Sequence, residues 1–147
     1  MPVLVDETKG GIGNPWGISF MAMLHMANDS GLFRTARDLF EAGAEQDGAD
    51  WIMPGSVRLV PLYEAKMIHH YDHRWATYEA HDDLSRDVTN AEKCDPSFAV
   101  TPRYWTPQND VTERLAERGW QRRWLMGWRN ITGVENVRTV VAELARV

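Results

Sequence analysis

Three histidines and one aspartate fall within five residues, in the run His69-His70-Tyr71-Asp72-His73. Imidazole and carboxylate groups can bind metals, and His69 and His73 would share one face if this segment were helical. Zinc enzymes with that spacing carry a glutamate directly after the first histidine, but here His70 stands in that place and no cysteine is near. Metal binding is therefore the weaker interpretation. Stacking, hydrogen bonding to backbone or phosphate, and simple packing are the alternatives.

Cationic and aromatic residues are interleaved around these histidines, over residues 61–78. Such interleaving is typical of nucleic-acid surfaces, because cations contact phosphates while aromatic rings stack on bases. An internal ion network of Glu64, Lys66 and Arg74 that supports the fold is the alternative interpretation. The candidates for DNA contact are Lys66, His69, His70, His73 and Arg74, with Arg122, Arg123 and Arg129 as a secondary set.

The net charge of −5 is unevenly distributed along the chain. Residues 1–102 carry 8 Lys+Arg against 16 Asp+Glu, whereas residues 103–147 carry 8 Arg against 5 Asp+Glu. Arginine outnumbers lysine by 13 to 3, and arginine is suited to bidentate contacts with phosphate and guanine. An acidic chain is nevertheless a poor independent DNA binder, since non-specific affinity depends on neutralising phosphates. We therefore expect any DNA binding to be assisted by a partner.

The elements that must hold these residues are short. Apolar runs predict strands at residues 3–5, 18–23, 98–100, 103–106, 124–128 and 138–144, and a hairpin of 51–53 with 57–62 around Pro54-Gly55. Helical spacing predicts a helix at 31–44, capped by the polar residues 28–30, and a capping residue at Asn109 or Asp110 predicts a second helix at 110–118. The polar segment 81–96 indicates a long loop. The expected fold class is α+β, with small mixed sheets, about two helices and long loops.

The composition is that of one globular domain of 147 residues. Cys94 is the single cysteine, so no internal disulfide is possible, and neither a signal peptide nor a membrane-length apolar run is present. We expect a cytoplasmic protein with no membrane partner. Seven tryptophans in so short a chain predict either a tryptophan-rich core or an exposed contact surface.

Six ordered stretches resemble large bacterial adenine-specific DNA methyltransferases of type IIG-like restriction–modification and phage-defence systems. The central stretch, PLYEAKMIHHYDHRWATY at 61–78, resembles the family pattern PLYEGKMIHQFDHRFATY, with Ala65 in place of a glycine. The others are NPWGISF at 14–20, MANDSGLFRT at 26–35, RYW at 103–105, WLMGWRNIT at 124–132 and NVRTVVA at 136–142. The resemblance therefore spans nearly the whole chain.

The resemblance implies a DNA-recognition fragment without catalytic residues of its own. The family's AdoMet-binding glycine motif and its Asn-Pro-Pro-aromatic motif would precede residue 1, so no cofactor is expected here, and AdoMet belongs to the parent family alone. Residues 1–60 would correspond to the edge of the methyltransferase core, and residues 61–147 to the start of the target-recognition region. The expected partners are DNA and a methyltransferase core or sister subunit.

Two other functions stay open. The chain could be an interaction or scaffold subunit that docks on a methyltransferase through a tryptophan-rich face. Exposure of Trp16, Trp75, Trp105 and Trp128 on one contiguous surface would favour that function. The chain could instead be a small metal-dependent nuclease that uses His69, His70 and His73.

Overall fold

Short helices and small antiparallel sheets make up the computed structural model, which describes residues 6–17, 22–79, 84–129 and 141–146. The predicted α+β class is confirmed. In chain order the elements are a 3-10 helix (Glu7–Gly13), α1 (Met26–Asp29), a 3-10 helix (Ser30–Leu32), α2 (Ala36–Glu41), β1 (Glu45–Asp47), β2 (Asp50–Ile52), β3 (Arg58–Leu62), a 3-10 turn (Ala65–Met67), β4 (Ala76–Tyr78), β5 (Ser85–Asp87), α3 (Asn90–Cys94), β6 (Tyr104–Pro107), α4 (Gln108–Glu117), β7 (Trp124–Trp128) and β8 (Ala142–Arg146).

The largest sheet is antiparallel, with the strand order β1-β2-β3-β6. The predicted hairpin around Pro54-Gly55 is confirmed, since β2 pairs with β3 through Trp51 opposite Leu59. Pro61 lies in β3 opposite Trp105 of β6, beyond the residues of β3 that pair with β2. A proline is tolerated there because its missing N–H is not needed by a second neighbouring strand.

Helix α2 covers this sheet through Leu39, which is fully buried against Trp51, Leu59 and Trp105. The helix is shorter than the predicted span 31–44, because Arg34 pairs its backbone with Trp105. The N–H of each residue donates to the carbonyl of the other, at 2.9 and 2.8 Å, and this extended bridge prevents helical backbone at that point. Helix α2 therefore begins at Ala36.

A second core lies beneath the β4–β5 hairpin and contains Met67, Tyr78, Val88 and Val100. The prediction of a long loop at 81–96 is wrong for most of the described residues 84–96, because they contain β5 and α3. Helix α3 begins with a capping box in which Thr89 and Glu92 bond each other's backbone N–H groups. This Thr-x-x-Glu signal was present in the sequence and indicates a helix start.

The remaining predictions were met unevenly. Strand β7 is where residues 124–128 predicted a strand, and α4 begins two residues before the predicted 110. Residues 98–100 and 22–23 are not strand, while 3–5, 18–21 and 138–140 lie outside the described residues. Strand β8 pairs with β7, and its first residues, 142–144, coincide with the C-terminal end of the predicted strand 138–144.

The α3 cap makes stability depend on pH. Glu92 accepts from both Arg86 and Thr89, and the Arg86 guanidinium is the larger cause that lowers the pKa of Glu92 to about 2. The unfolded chain binds this proton near pH 4.3. The stabilisation is therefore complete above that pH and disappears as pH falls towards 2. Denaturant unfolding should show that Glu92→Gln is less stable than the wild type at pH 7 and equally stable near pH 2. The exposed Glu117→Gln control should be as stable as the wild type at both pH values.

Candidate nucleic-acid interface

The histidine run forms a tight turn rather than a helix. The N–H of His69 donates to the carbonyl of Asp72 at 2.8 Å, and the N–H of Asp72 donates back to His69 at 3.1 Å. Tyr71 at the tip has a φ of 56° and is 87% exposed. The turn removes the helical spacing that a zinc pair at His69 and His73 would need. Within the described residues, no three His, Cys, Asp or Glu side chains are grouped as a metal site would require.

His69 belongs to a packed cluster beside this turn. Its ring lies 4.3 Å from the ring of Trp75, and the Lys93 ammonium lies 4.6 Å from the centroid of that same Trp75 ring. Lys93 also pairs with Asp72 at 2.7 Å. Burial lowers the pKa of His69, and the positive charge of Arg129 lowers it further. The imidazole is therefore neutral at pH 7 and acts as a packing group.

The other two histidines differ in exposure. His70 is half-buried, and its Nε2 atom is buried without a hydrogen-bond partner. His73 is exposed, and no hydrogen bond of its side chain occurs among the described residues. His73 and the tip residue Tyr71 are therefore the accessible groups of the turn. Tyr71 was not among the sequence candidates, although its place between His70 and Asp72 in the histidine run was the available signal.

Arg74 is used within the fold. Its guanidinium donates to the carbonyl of Lys93 at 2.6 Å and, more weakly, to those of Asp95 and Phe98 at 3.4 Å. The carbonyls of Lys93 and Asp95 lie at the C-terminal end of α3, where a helix leaves acceptors unsatisfied. Arg74 therefore joins the turn to α3.

Arg129 plays a comparable role at the end of β7. Its Nε donates to the carbonyls of Ala65 and Ile68 at 2.9 and 3.1 Å, and one terminal nitrogen donates to Ile68 at 2.8 Å. A Cβ built on Gly127 would stand 3.6 Å from the Ile68 side chain, so the rear of β7 lies close to the same turn. Arg129 therefore fastens β7 to the 65–68 segment.

Lys66 is exposed on that segment, with its ammonium 4.8 Å from the centroid of the Tyr78 ring. The alternative network of Glu64, Lys66 and Arg74 is not formed as proposed. Glu64 pairs with Arg103 at 2.9 Å and accepts from the Tyr78 hydroxyl at 2.6 Å. Burial, and then the Glu64 carboxylate, raises the pKa of Tyr78, which therefore stays protonated as the donor.

Arg122 and Arg123 are exposed in the turn between α4 and β7. The Arg122 guanidinium lies 5.9 Å from the Trp124 ring centroid, and no partner of the Arg123 side chain occurs among the described residues. The ring of Trp120 stands perpendicular to that of Trp124 at 5.3 Å, and its indole N–H donates to the Trp124 carbonyl. Trp120 thus helps to fix the ring beside the two arginines.

Strand β7 presents alternate side chains to solvent. Trp124 is 41% and Met126 53% exposed, and Leu144 of β8, directly opposite Met126, is 55% exposed. Trp128 lies on the same side of the strand, whereas Trp51 and Trp105 are buried in the sheet core. Because Trp105 is buried, the four tryptophans Trp16, Trp75, Trp105 and Trp128 do not form the contiguous exposed surface that would favour the scaffold function. A different aromatic and apolar surface exists on β7.

Comparison with known proteins does not assign the chain to a family: no family profile, curated protein or solved structure matches it. None of the helices in the described ranges is long and apolar enough to cross a membrane. The geometry of the exposed residues is therefore the basis for the function proposed below.

Proposed function

We propose that this protein is a DNA-recognition module, related to adenine-specific DNA methyltransferases of restriction–modification systems and acting with a methyltransferase core or sister subunit in the cytoplasm. The observation that carries the proposal is the position of three exposed cations at the two ends of β7. Arg122 and Arg123 immediately precede the strand. Lys66 lies on the 65–68 segment, which hydrogen bonds from Arg129 join to the C-terminal end of β7. We call Lys66, Arg122 and Arg123 the basic triad.

The strand that the basic triad borders is long enough to lie along several nucleotides of a nucleic-acid backbone. At about 3.3 Å per residue, β7 spans about 13 Å from Trp124 to Trp128, with the two arginines of the basic triad before it and Lys66 on the segment beside its other end. That length corresponds to about four nucleotide rises of 3.4 Å. Between Arg118 and Arg129 the chain contains four arginines and no acidic residue, while the paired strand β8 contributes Glu143 opposite Gly127. This segment is therefore positively charged within an acidic protein.

The internal roles of Arg74 and Arg129 refine the set of expected contacts. Their guanidinium groups bond backbone carbonyls of the fold, so they support the surface. The accessible members, Lys66, His73, Arg122 and Arg123, are the groups that we propose to meet DNA. Phosphate contacts from the basic triad position a duplex, while base edges are read by other groups of the complete assembly.

A fluorescence-anisotropy titration of a labelled duplex at about 50 mM salt tests the proposal. Replacing Arg122 and Arg123 together by alanine should weaken binding more than Lys66→Ala does, because two of the three phosphate contacts are lost. Lys9→Ala is the matched control, since Lys9 is exposed and pairs with Asp6 far along the chain from β7. Absence of binding to duplex and single-stranded DNA alike by the wild type, or equal losses in all three variants, would refute the proposal.

A protein-docking function is the second candidate, favoured by the exposed apolar side chains of β7 and β8. A methyltransferase core or sister subunit would cover Trp124, Met126 and Leu144 in that case. Co-purification with such a subunit, lost in Met126→Asp and kept in Arg122→Ala, would favour docking over DNA contact. The histidine-based nuclease has no comparable support from the described geometry.

A further inference from the structure

We infer that the exposed face of β7 binds unpaired nucleotides, with Trp124 as the stacking platform for a base and Arg122 and Arg123 as contacts for the flanking phosphates. This inference rests on the proposed DNA-recognition function and names the form of nucleic acid that the site takes. Single-strand-binding proteins combine these two components, aromatic rings for bases and a cationic track for the backbone.

The placement of Trp124 carries the inference. Trp124 is on the solvent side of β7 and is 41% exposed as a residue, and its ring is oriented by the perpendicular ring of Trp120. A fixed and accessible ring loses little freedom when a base stacks on it. In intact duplex DNA the bases are already stacked on one another, so a base must be unpaired or extruded to reach such a platform.

The charges beside the ring identify the occupant as nucleic acid. Arg122 lies 5.9 Å from the Trp124 centroid, near the outer limit of about 6 Å for a cation–π contact, and is exposed. It is therefore weakly held and can turn towards a phosphate when a base takes its place. An apolar protein partner would match Met126 and Leu144 but would leave the cations Arg122 and Arg123 without complementary charge.

Three labelled probes of about 12 units separate the possible outcomes: oligothymidylate, an abasic strand with the same phosphates, and a blunt duplex. We expect the wild type to bind oligothymidylate about 10-fold tighter than the abasic strand. Trp124→Ala should abolish the preference for oligothymidylate and leave the affinity for the abasic strand unchanged. Trp124→Phe should retain most of that preference. Phe40→Ala, which removes another exposed aromatic ring on α2, is the matched control and should change nothing.

These outcomes distinguish a failure of the base-stacking inference from a failure of the proposed DNA-recognition function. Equal, salt-sensitive binding of all three probes would overturn base stacking and leave the proposed DNA recognition standing. No binding of any probe would overturn both. Sedimentation at increasing protein concentration gives the remaining test: a dimer that Trp124→Ala dissociates would show that a second copy occupies this face, and would overturn the inference.

Discussion

Leu39→Ala should lower the free energy of unfolding by about 2–5 kcal/mol, the largest loss that we expect from one substitution. Leu39 has no exposed surface and packs against Trp51, Leu59 and Trp105, so its removal leaves a cavity between α2 and the four-stranded sheet. The two tryptophan rings, in edge contact at 6.2 Å, are too rigid to fill that space. Chemical denaturation monitored by tryptophan fluorescence measures the loss.

The neighbouring residue provides an internal control. Phe40 follows Leu39 on the same helix but is 76% exposed, so Phe40→Ala removes more side-chain volume without opening a cavity. We expect it to change the stability by no more than about 0.5 kcal/mol. If both substitutions had the same effect, helix propensity rather than burial would determine the stability of α2, and the described core would be wrong.

Arg129→Ala should lower the stability by about 1.5–3 kcal/mol, the usual contribution of hydrogen bonds from a charged group. The guanidinium bridges β7 to the carbonyls of Ala65 and Ile68, so its loss leaves acceptors unsatisfied and loosens the strand from the 65–68 segment. Hydrogen exchange should report faster exchange in β7 and β8, with the sheet β1-β2-β3-β6 unchanged.

Two variants separate geometry from charge at this position. Arg129→Lys keeps the charge but has no planar fork to reach both carbonyls, so we expect it to recover only part of the loss. Arg123→Ala removes one charge from the other end of β7, at an exposed site, and should leave stability unchanged. Full recovery by lysine would indicate that net charge, rather than the bidentate geometry, joins the two segments.

The fold was predictable wherever local signals agreed with long-range pairing. Pro54-Gly55 between two apolar runs identified the β2–β3 hairpin, and the capping residues at 109–110 indicated α4, which begins at Gln108. The helix at 31–44 was overestimated because its apolar periodicity was real, whereas Arg34 is held extended by Trp105, 71 positions further along the chain. A pairing over that separation leaves no trace in a local window.

The candidate site was predictable by residue type but not by role. The sequence indicates that Lys66, Arg74, Arg122 and Arg129 are cationic, yet only the folded chain distinguishes those that reach solvent from those that bond carbonyls. Arginine serves both purposes equally well, because its five donors fit backbone acceptors as readily as phosphates. The exposure of one face of β7 could not be predicted from the sequence either, because a run of apolar residues is typical of a buried strand.

The salt dependence of DNA affinity tests the proposed function most directly. If the basic triad neutralises about three phosphates, log Kobs for a duplex should fall with log salt at a slope of about −2.7. The Arg122→Ala, Arg123→Ala double variant should retain one contact and a slope of about −0.9. An unchanged slope in the double variant, or a wild-type affinity that does not respond to salt, would contradict DNA recognition by this surface.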